Sequence, residues 1–273
     1  MQFAIDTHVH IYPFYRVEQA LESVIENLSR AGENAVKIGC LTERYDCDIY
    51  NELATAPRPQ VAERFYIENR ENFLFVRRRQ GNGKFYLLPG QQIITKENIE
   101  VLSLNCLKRV IEGNSAVDTV HDILTLGGLP VVAWAPGKWF FKRGEVVQSL
   151  IEQFNPSELA LGDTTLRPLG WGVPSIMRTA RRRGFKILYG SDPLPFNGEE
   201  TTPGSYATLI QNIKHSNNND TPDPGKLLSN VLSEDLQIQS VGSRGTFPRV
   251  LKRLYQNNRA PKPPRDARIT TNA

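Results

Sequence analysis

Two histidines near the start of the chain have a spacing that suits metal chemistry. In the stretch FAIDTHVHIYP, residues 3–13, His8 and His10 are two of only four histidines in 273 residues. Alternate side chains of a β-strand point to the same face, so a strand would place both imidazoles on one side, about 6.5 to 7 Å apart along the strand. Both could then reach one divalent ion. We therefore predict that His8 and His10 are metal ligands; the alternative is a pair of surface histidines on an edge strand.

Asp192, in the stretch KILYGSDPLPF, is the predicted third ligand. It follows a short apolar strand, and Pro193 stops further strand pairing. Two imidazoles and one carboxylate leave one coordination position for water, which is the arrangement of catalytic zinc sites. Such a water is a nucleophile near neutral pH, and Asp192 could also act as the general base that takes its proton. The alternative for Asp192 is an Asx-type cap of the following turn.

Three further charged residues follow predicted strands. Asp163, in LALGDTTLRP, is a candidate ligand, a hydrogen-bond partner for a ligand histidine, or a helix N-cap. Arg167, on the same loop, is predicted to bind an anionic group of the substrate. Glu43 follows the second predicted strand and is a further candidate ligand, with a solvated loop residue as the alternative. His121 and His215 lie in or at the end of predicted helices, and we do not predict them as ligands.

The elements that would position these residues alternate between strands and helices. In FAIDTHVHI the apolar residues Phe3, Ile5, Val9 and Ile11 alternate with polar ones, which predicts a strand whose apolar face packs against helices. The stretch RVEQALESVIENLSRAG has helical spacing, and a second strand, AVKIGCLT, follows. This β-α-β start favours a parallel sheet with helices outside it.

The rest of the chain continues this pattern after a strand-rich middle. Residues 64–105 read as several strands, with QGNGK as a hairpin turn. Helices and strands then alternate as far as FKILYGSD, and two more helices are predicted at SYATLIQNIK and GKLLSNVLSE. We predict one domain over residues 1–255 and a disordered, basic, Pro-rich tail over residues 256–273.

About six or seven strands alternating mainly with helices predict an α/β fold, a TIM-like (β/α) barrel, with an open doubly wound sheet as the competitor. In a barrel, the inward face near the carboxyl ends of the strands forms the active site, and His8 and His10 would lie there.

Composition limits the class of protein. Hydrophobic residues make up 40 % of the chain and charged residues 23 %, which is typical of a globular protein. The three cysteines are too few for a disulfide framework, and no run approaches the ~18 apolar residues of a membrane span. We expect a soluble, cytoplasmic protein that acts on a small molecule. The net charge is a modest +4. The basic tail could touch nucleic acid or acidic lipid, but we expect a solvated tail, no membrane partner and no nucleic-acid partner. The oligomeric state is left open.

Four motifs resemble those of the PHP family, named for its polymerase and histidinol-phosphatase members. DTHVHIYP is similar to that family's Asp-x-His-x-His opening, and YLLPGQQIIT to its Pro-Gly-x-Glu-Ile segment. GGLPVVAWAPG resembles its Gly-Gly-x-x-x-x-Ala-His-Pro strand, and ILYGSDPLP its Gly-Ser-Asp-x-His ending. The resemblance implies a distorted seven-stranded (β/α) barrel that holds up to three metal ions, usually zinc or manganese, and cleaves phosphate esters.

The ligand set departs from that pattern. The family's glutamate falls at Gln92 in this chain, and three of its histidines fall at Glu100, Trp134 and Leu194. Its Asp-His pair falls at Glu43-Arg44. The resemblance therefore implies one metal ion, zinc or manganese, held by His8, His10 and Asp192 with Glu43 or Glu100 assisting.

The resemblance leaves three functions open. The first is a metal-dependent phosphoesterase that uses a metal-activated water, with Asp163 and Arg167 supporting catalysis or contacting substrate. DTHVH and ILYGSDPLPF also resemble the first and last strands of small amidohydrolases, which implies C–N or ester hydrolysis instead. The third is a barrel without catalysis that binds a ligand or a partner protein. Trp134 favours this reading, because an indole cannot ligate a metal and would fill part of the pocket.

Overall fold

The computed structural model describes residues 1–211, 223–233 and 236–260. Strands and helices alternate over much of these ranges, as the sequence predicts. The strands within them are β1 (Phe3–Val9), β2 (Val36–Glu43), β3 (Phe65–Arg70), β4 (Phe73–Arg78), β5 (Lys84–Ile94), β6 (Glu100–Leu104), β7 (Leu129–Ala133), β8 (Ala160–Thr164), β9 (Ile187–Gly190), β10 (Tyr206–Gln211) and β11 (Gln237–Gly242). The helices are α1 (Val17–Leu28), α2 (Ile49–Thr55), α3 (Pro59–Arg64), α4 (Ala116–Thr125), α5 (Lys142–Gln153), α6 (Ser175–Arg182), α7 (Pro224–Asn230) and α8 (Phe247–Arg259).

The strands form one barrel-shaped sheet that is nearly closed. Nine of the described strands follow one path in the order β11-β10-β1-β2-β5-β6-β7-β8-β9, and β4 joins β3 to the side of β5. The protein is therefore mixed α/β with a barrel-like sheet. The sheet is not wholly parallel, because β6 runs antiparallel to both β5 and β7. A tight turn with a hydrogen bond from Thr95 N to Ile99 O joins β5 to β6, and a connection this short can only join antiparallel strands.

The barrel has a seam where β9 lies beside β1, and no strand ladder joins these two strands in the ranges given above. Individual hydrogen bonds cross it: Thr7 Oγ1 donates to Tyr189 O over 3.0 Å, and Asp192 N donates to His8 O over 2.8 Å. Gly190 allows this close approach, since a Cβ there would lie 2.4 Å from the Cβ of His8. The seam therefore brings the end of β9 directly against the histidine strand.

Strand β1 does not keep one face throughout, which corrects the simple alternation predicted from sequence. Phe3 and Ile5 pack in the cluster inside the barrel, whereas Val9 and Ile11 pack with the apolar side of α1. The pairing register of β1 with β2 shifts between Asp6 and Val9. A bulge of this kind re-aims the residues that follow it, so His8 and His10 point into the mouth of the barrel although Phe3 and Ile5 also point inward.

Two other predictions from sequence need correction. Of the predicted helix SYATLIQNIK, residues 206–211 form β10, which pairs antiparallel with the free edge of β1, and residues 212–214 lie outside the described residues, as does His215. Helix α8 runs to Arg259, so the boundary predicted at residue 255 falls inside a helix that begins with Pro248 in its first turn and buries Val250. The rest of the predicted tail, residues 261–273, is not described. No helix in the described ranges is long and apolar enough to cross a membrane.

Candidate metal centre

Three of the predicted ligands converge at the mouth of the barrel. His8 Nε2 and His10 Nε2 are 3.0 Å apart, and Asp192 Oδ1 lies 3.7 Å from the first and 3.9 Å from the second. All three side chains are buried, and their ligand atoms lie within 4.8 Å of one another. This is the convergence that a single ion requires. The group of His8, His10 and Asp192 could bind a metal.

The loop after β9 holds Asp192 against the histidine strand. Asp192 has φ of 51°, in the left-handed region that Asp tolerates better than most residues. Its backbone N–H donates to His8 O, so this unusual conformation is tied to β1, which contains His8 and ends directly before His10. The carboxylate is therefore positioned by hydrogen bonding across the seam, because Asp192 itself lies in neither a helix nor a strand.

Asp6 reinforces the same loop. Its Oδ1 accepts hydrogen bonds from the backbone N–H groups of His8 (3.1 Å) and Ser191 (2.9 Å), and its Oδ2 accepts from Ser191 Oγ (2.5 Å) and Gly204 N (2.7 Å). Burial raises the pKa of the Asp6 carboxyl, while these four hydrogen bonds favour its charged form. Asp6 is therefore a positioning residue that joins β1, the Asp192 loop and the segment before β10.

Gln92 completes a triangle with the histidines. Its Oε1 lies 3.0 Å from His8 Nε2 and 2.9 Å from His10 Nε2. Hydrogen bonds from the imidazoles can account for at most two of these three close atom pairs. If both Nε2–H groups donate to Gln92 Oε1, the two hydrogens lie between Nε2 atoms that are only 3.0 Å apart and repel each other. A cation at the usual ~2.1 Å from each atom satisfies all three. The donor set therefore fits a divalent ion, with Gln92 as a neutral oxygen ligand.

The environment of His10 keeps its imidazole neutral. Burial is the main cause that holds the pKa of His10 well below its ordinary value, and the charges of His8 and Arg44 lower it further. A neutral imidazole has the free lone pair that a metal requires. The His10 ring stacks on Tyr12 at a centroid distance of 5.5 Å and meets His8 edge-on at 4.8 Å. Packing thus fixes the ring orientation.

Glu43 and Glu100, the two assisting candidates, lie outside the group of three. Glu43 Oε1 accepts from the backbone N–H groups of Ile49 (2.5 Å) and Tyr50 (3.2 Å), so the residue caps the start of α2. Glu100 faces the same cavity as His10, and its carboxylate lies 3.5 Å from Lys138 Nζ. Burial raises the pKa of Asp192, and the charge of Glu100 adds to this rise.

Asp163 and Arg167 are paired with each other. Two hydrogen bonds of 2.7 and 2.5 Å join the buried carboxylate to the guanidinium. Arg167 Nη1 also donates to Trp171 O, and Tyr206 Oη donates to Asp163. With these donors engaged and the pair buried, Arg167 lacks the open cationic face that the sequence-based role in substrate binding requires. We correct that prediction and leave both residues out of the proposed substrate site.

A cavity of about 560 Å³ opens above the ligands. The charged residues around it are two cations, Arg44 and Lys138, and three carboxyl groups, Glu100, Glu112 and Asp192. Sequence reasoning did not identify Lys138 as part of the site. Like Arg44, it lies in the loop after a barrel strand, and the rule that strand ends line a barrel mouth could have found it.

Trp134 does not occupy the space between the ligands. Its indole is 2 % exposed and packs in the helix-side core with residues such as Val132 and Leu166. The tryptophan thus replaces the histidine of the resembled family without filling the centre formed by His8, His10 and Asp192.

Comparisons with known proteins support the fold. No protein-family model and no curated protein match the sequence. Among solved structures, PsfC from Pseudomonas syringae PB-5123 aligns over 94 % of this chain and 96 % of its own, with a TM-score of 0.59 and 16 % identity. At this identity the likeness shows a shared fold.

Two other similar structures are endonucleases. The lesion-specific endonuclease PfuEndoQ from Pyrococcus furiosus has a TM-score of 0.47 and 11 % identity, over 89 % of this chain and 59 % of its own. Endonuclease Q in complex with a 27-mer duplex substrate has a TM-score of 0.42 and 10 % identity, over 92 % of this chain and 67 % of its own. These findings contradict the prediction that nucleic acid is an unlikely partner, and we withdraw it.

Proposed function

We propose that this chain is a PHP-like barrel of the distorted seven-stranded type and a metal-dependent hydrolase. It would hold one divalent ion, zinc or manganese, through His8, His10 and Asp192, with Gln92 as a fourth contact. The observation that carries the proposal is the convergence of the two Nε2 atoms, 3.0 Å apart, with Gln92 Oε1 and Asp192 Oδ1 around one point. Imidazole and carboxylate ligands suit both metals.

The reaction we propose is hydrolysis of a phosphate ester of a small molecule. A bound divalent ion would supply Lewis acidity and a water of lowered pKa. The imidazoles of His8 and His10 would provide the lone pairs that hold the ion. Asp192 would serve as ligand and as general base, and its raised pKa brings the carboxyl closer to the pH at which a base can take up a proton.

The charges around the cavity support an anionic substrate only when the ion is bound. Without the ion, the three carboxyl groups of the cavity outnumber Arg44 and Lys138. A divalent ion reverses this balance, so the loaded site would attract a phosphoryl group that the metal-free site repels. Arg44 and Lys138 would then contact the phosphoryl oxygens.

The first test is the metal content of the purified protein, measured by elemental mass spectrometry before and after incubation with zinc or manganese. We expect about one equivalent in the wild type and none in the His10→Ala, Asp192→Ala double variant. His121→Ala is the matched control, because His121 is exposed on α4. Absence of metal from the wild type in every condition would overturn the proposal. Metal binding without release of phosphate from p-nitrophenyl phosphate or other esters would favour the non-catalytic binding barrel.

A further inference from the structure

A second, smaller cavity of about 160 Å³ lies beside the metal-site cavity. Its walls are almost entirely apolar and come from the loop after β7, the loop after β8 and helix α8. The side chains that form its open part are Phe140, Trp171, Phe247 and Leu251. Pro136, Leu166 and Leu254 line both cavities. The two spaces therefore adjoin, and the apolar groove leads away from the metal ligands toward the surface.

The exposure of the groove residues is unusual for a folded protein. Phe140 is 46 % exposed, Trp171 45 %, Phe247 50 % and Leu251 51 %. Single exposed apolar residues are ordinary, but a contiguous group around a concave surface marks a binding site. Phe247 and Leu251 are four residues apart on α8 and so share one face of the helix.

The two adjoining spaces differ sharply in polarity. The metal-site end carries the cations Arg44 and Lys138 and the carboxyl groups of Glu100, Glu112 and Asp192, and a bound divalent ion would make its net charge positive. The groove instead presents aromatic and aliphatic side chains. Small-molecule sites commonly combine apolar walls with a few convergent polar groups at one end. A ligand complementary to both parts has an anionic head and an apolar tail.

We propose, resting on the proposed function above, that the substrate is an amphiphilic phosphate monoester. Its phosphoryl group would lie at the metal-site end, and the apolar part of its alcohol would lie in the groove between Trp171 and α8. Complete burial of each additional methylene group in the groove would raise the binding affinity by up to about four-fold. Burial of about half of the surface of each methylene would still raise the affinity about two-fold.

The test compares butyl phosphate with octyl phosphate, both below micelle-forming concentrations. Both esters release a primary alcohol of similar reactivity, so a difference in kcat/KM reports the alkyl chain. With four extra methylenes, we expect a preference for octyl phosphate of ten-fold or more. The Trp171→Ser, Leu251→Ser double variant should reduce this ratio to about two. Ile111→Ser is the matched control, because Ile111 is 62 % exposed and lies outside both cavities, and its ratio should equal that of the wild type.

Calorimetric binding of the two esters to the zinc-loaded protein separates failure of this inference from failure of the proposed function. One outcome is that neither ester is hydrolysed, that octyl phosphate nevertheless binds more tightly than butyl phosphate, and that the double variant loses this difference. That outcome would support the groove as a binding site for the alkyl chain and contradict the proposed phosphoesterase activity. Equal affinity for both esters, or a preference that survives in the double variant, overturns the groove. Binding to vesicles that contain phosphatidic acid, without binding to monomeric octyl phosphate, would also overturn it in favour of a membrane contact.

Discussion

The decisive feature at the scale of single residues is the triangle of His8, His10 and Gln92. Its three ligand atoms lie 2.9 to 3.0 Å apart. The family that the sequence resembles has a glutamate where this chain has Gln92. An amide oxygen can coordinate a metal but brings no charge, so the proposed centre would have one negative ligand, Asp192, where two would be present with a glutamate.

Gln92→Glu should therefore tighten metal binding. The added negative charge lies within 3.0 Å of both histidine Nε2 atoms, and we expect roughly ten-fold higher zinc affinity, or about 1.4 kcal/mol. Competition with a chelator of known affinity measures the change. Gln80→Glu, in the exposed turn between β4 and β5, controls for the added charge. An unchanged affinity would exclude position 92 from the coordination sphere.

The lowered pKa of His10 predicts how zinc binding responds to acid. Protons and metal compete for the same imidazole lone pair, and an ordinary histidine begins to lose this competition near pH 6.5. Because burial holds the pKa of His10 well below that value, proton competition at His10 should contribute little to any change of zinc affinity between about pH 7.5 and 6.5. NMR titration of the His10 imidazole in the metal-free protein measures its protonation separately from that of the other ligands. A His10 signal that titrates at or above about pH 6.5 would contradict the expected environment of His10.

The same shift affects the metal-free fold with a defined sign. Between pH 6.5 and the lowered pKa, His10 binds a proton in the unfolded chain but not in the folded one. The contribution of His10 to stability is therefore present above pH 6.5 and is lost as the pH falls toward the folded pKa. Urea unfolding of the metal-free wild type and of His10→Gln at two pH values measures this contribution separately from metal binding.

At the scale of elements, α8 locks the loop that carries Asp192. Arg253 on this helix donates to both carboxylate oxygens of Glu199, over 2.8 and 2.6 Å, to Thr165 Oγ1 over 2.7 Å and to Asp192 O over 3.0 Å. Arg253 and Glu199 are buried. One guanidinium thus connects α8, the loop after β8 and the loop after β9.

Arg253→Met should destabilise the fold by about 3 to 5 kcal/mol, because the buried carboxylate of Glu199 loses its partner. The Arg253→Met, Glu199→Gln double variant should recover much of this loss, since it leaves no unpaired buried charge. Urea unfolding measures both. Arg249→Met, exposed on the same helix, controls for the loss of a cation. A double variant as unstable as the single one would show that packing, and not the ion pair, explains the loss.

Glu43 makes the junction of β2 and α2 sensitive to pH. Burial raises its pKa to about 7, although Arg109 and two backbone N–H groups oppose the rise. Between pH 4.5 and 7 the folded protein therefore binds a proton that the unfolded chain releases, so this residue's contribution to stability falls as the pH rises through that window.

Glu43→Gln should accordingly gain stability over the wild type as the pH rises. The difference should grow by about 3 kcal/mol at most between pH 5 and pH 8. Urea unfolding at the two pH values measures it, with Glu71→Gln, in the exposed turn after β3, as the control. If the difference between the two proteins is the same at both pH values, the Glu43 carboxyl titrates normally.

Local patterns predicted most of the elements but not how neighbours modify them. The helix α1, the hairpin between β4 and β5, and the strand-end positions of His8, His10 and Asp192 all follow from residue spacing. The bulge in β1 depends on its register against β2, and β10 is a strand because β1 has a free edge to pair with. Neither the bulge nor the strand β10 can be predicted from the sequence of its own segment alone, because each depends on the neighbouring strand. Asp163 and Arg167 looked available for substrate because sequence does not reveal that their turn pairs them.

At the scale of the whole molecule, the candidate metal centre bridges the seam of the barrel. His8 lies in β1 and His10 directly follows it, whereas Asp192 follows β9 on the other side. Neighbouring described strands along the path of the sheet are paired by ladders of backbone hydrogen bonds. Strands β1 and β9 are instead connected by separate hydrogen bonds, such as that from Asp192 N to His8 O. A metal ion bound to all three ligands would therefore join the two sides.

Zinc should stabilise the entire fold as well as the site. At a free concentration 100 times the Kd, binding contributes about 2.7 kcal/mol, which for a chain of this size raises Tm by roughly 5 to 11 °C. Calorimetric scans with and without zinc measure the shift, and His10→Ala should show none. Amide exchange should slow most at Ser191 and Asp192, whose N–H groups donate across the seam. Protection spread evenly over all strands would argue against a local joining of the seam.

The contacts of Arg253 with Asp192 and Glu199 have a consequence for the order of events during synthesis. His8 and His10 leave the ribosome before Asp192, and the helix that holds the Asp192 loop is made later still. At 5 to 20 residues per second, the interval between the histidines and this helix is roughly 10 to 50 s. For most of this interval the nascent chain exposes a pair of imidazoles without Asp192, and for the remainder Asp192 is present without the helix that holds its loop. The complete site for one ion would then form only after α8 has been made.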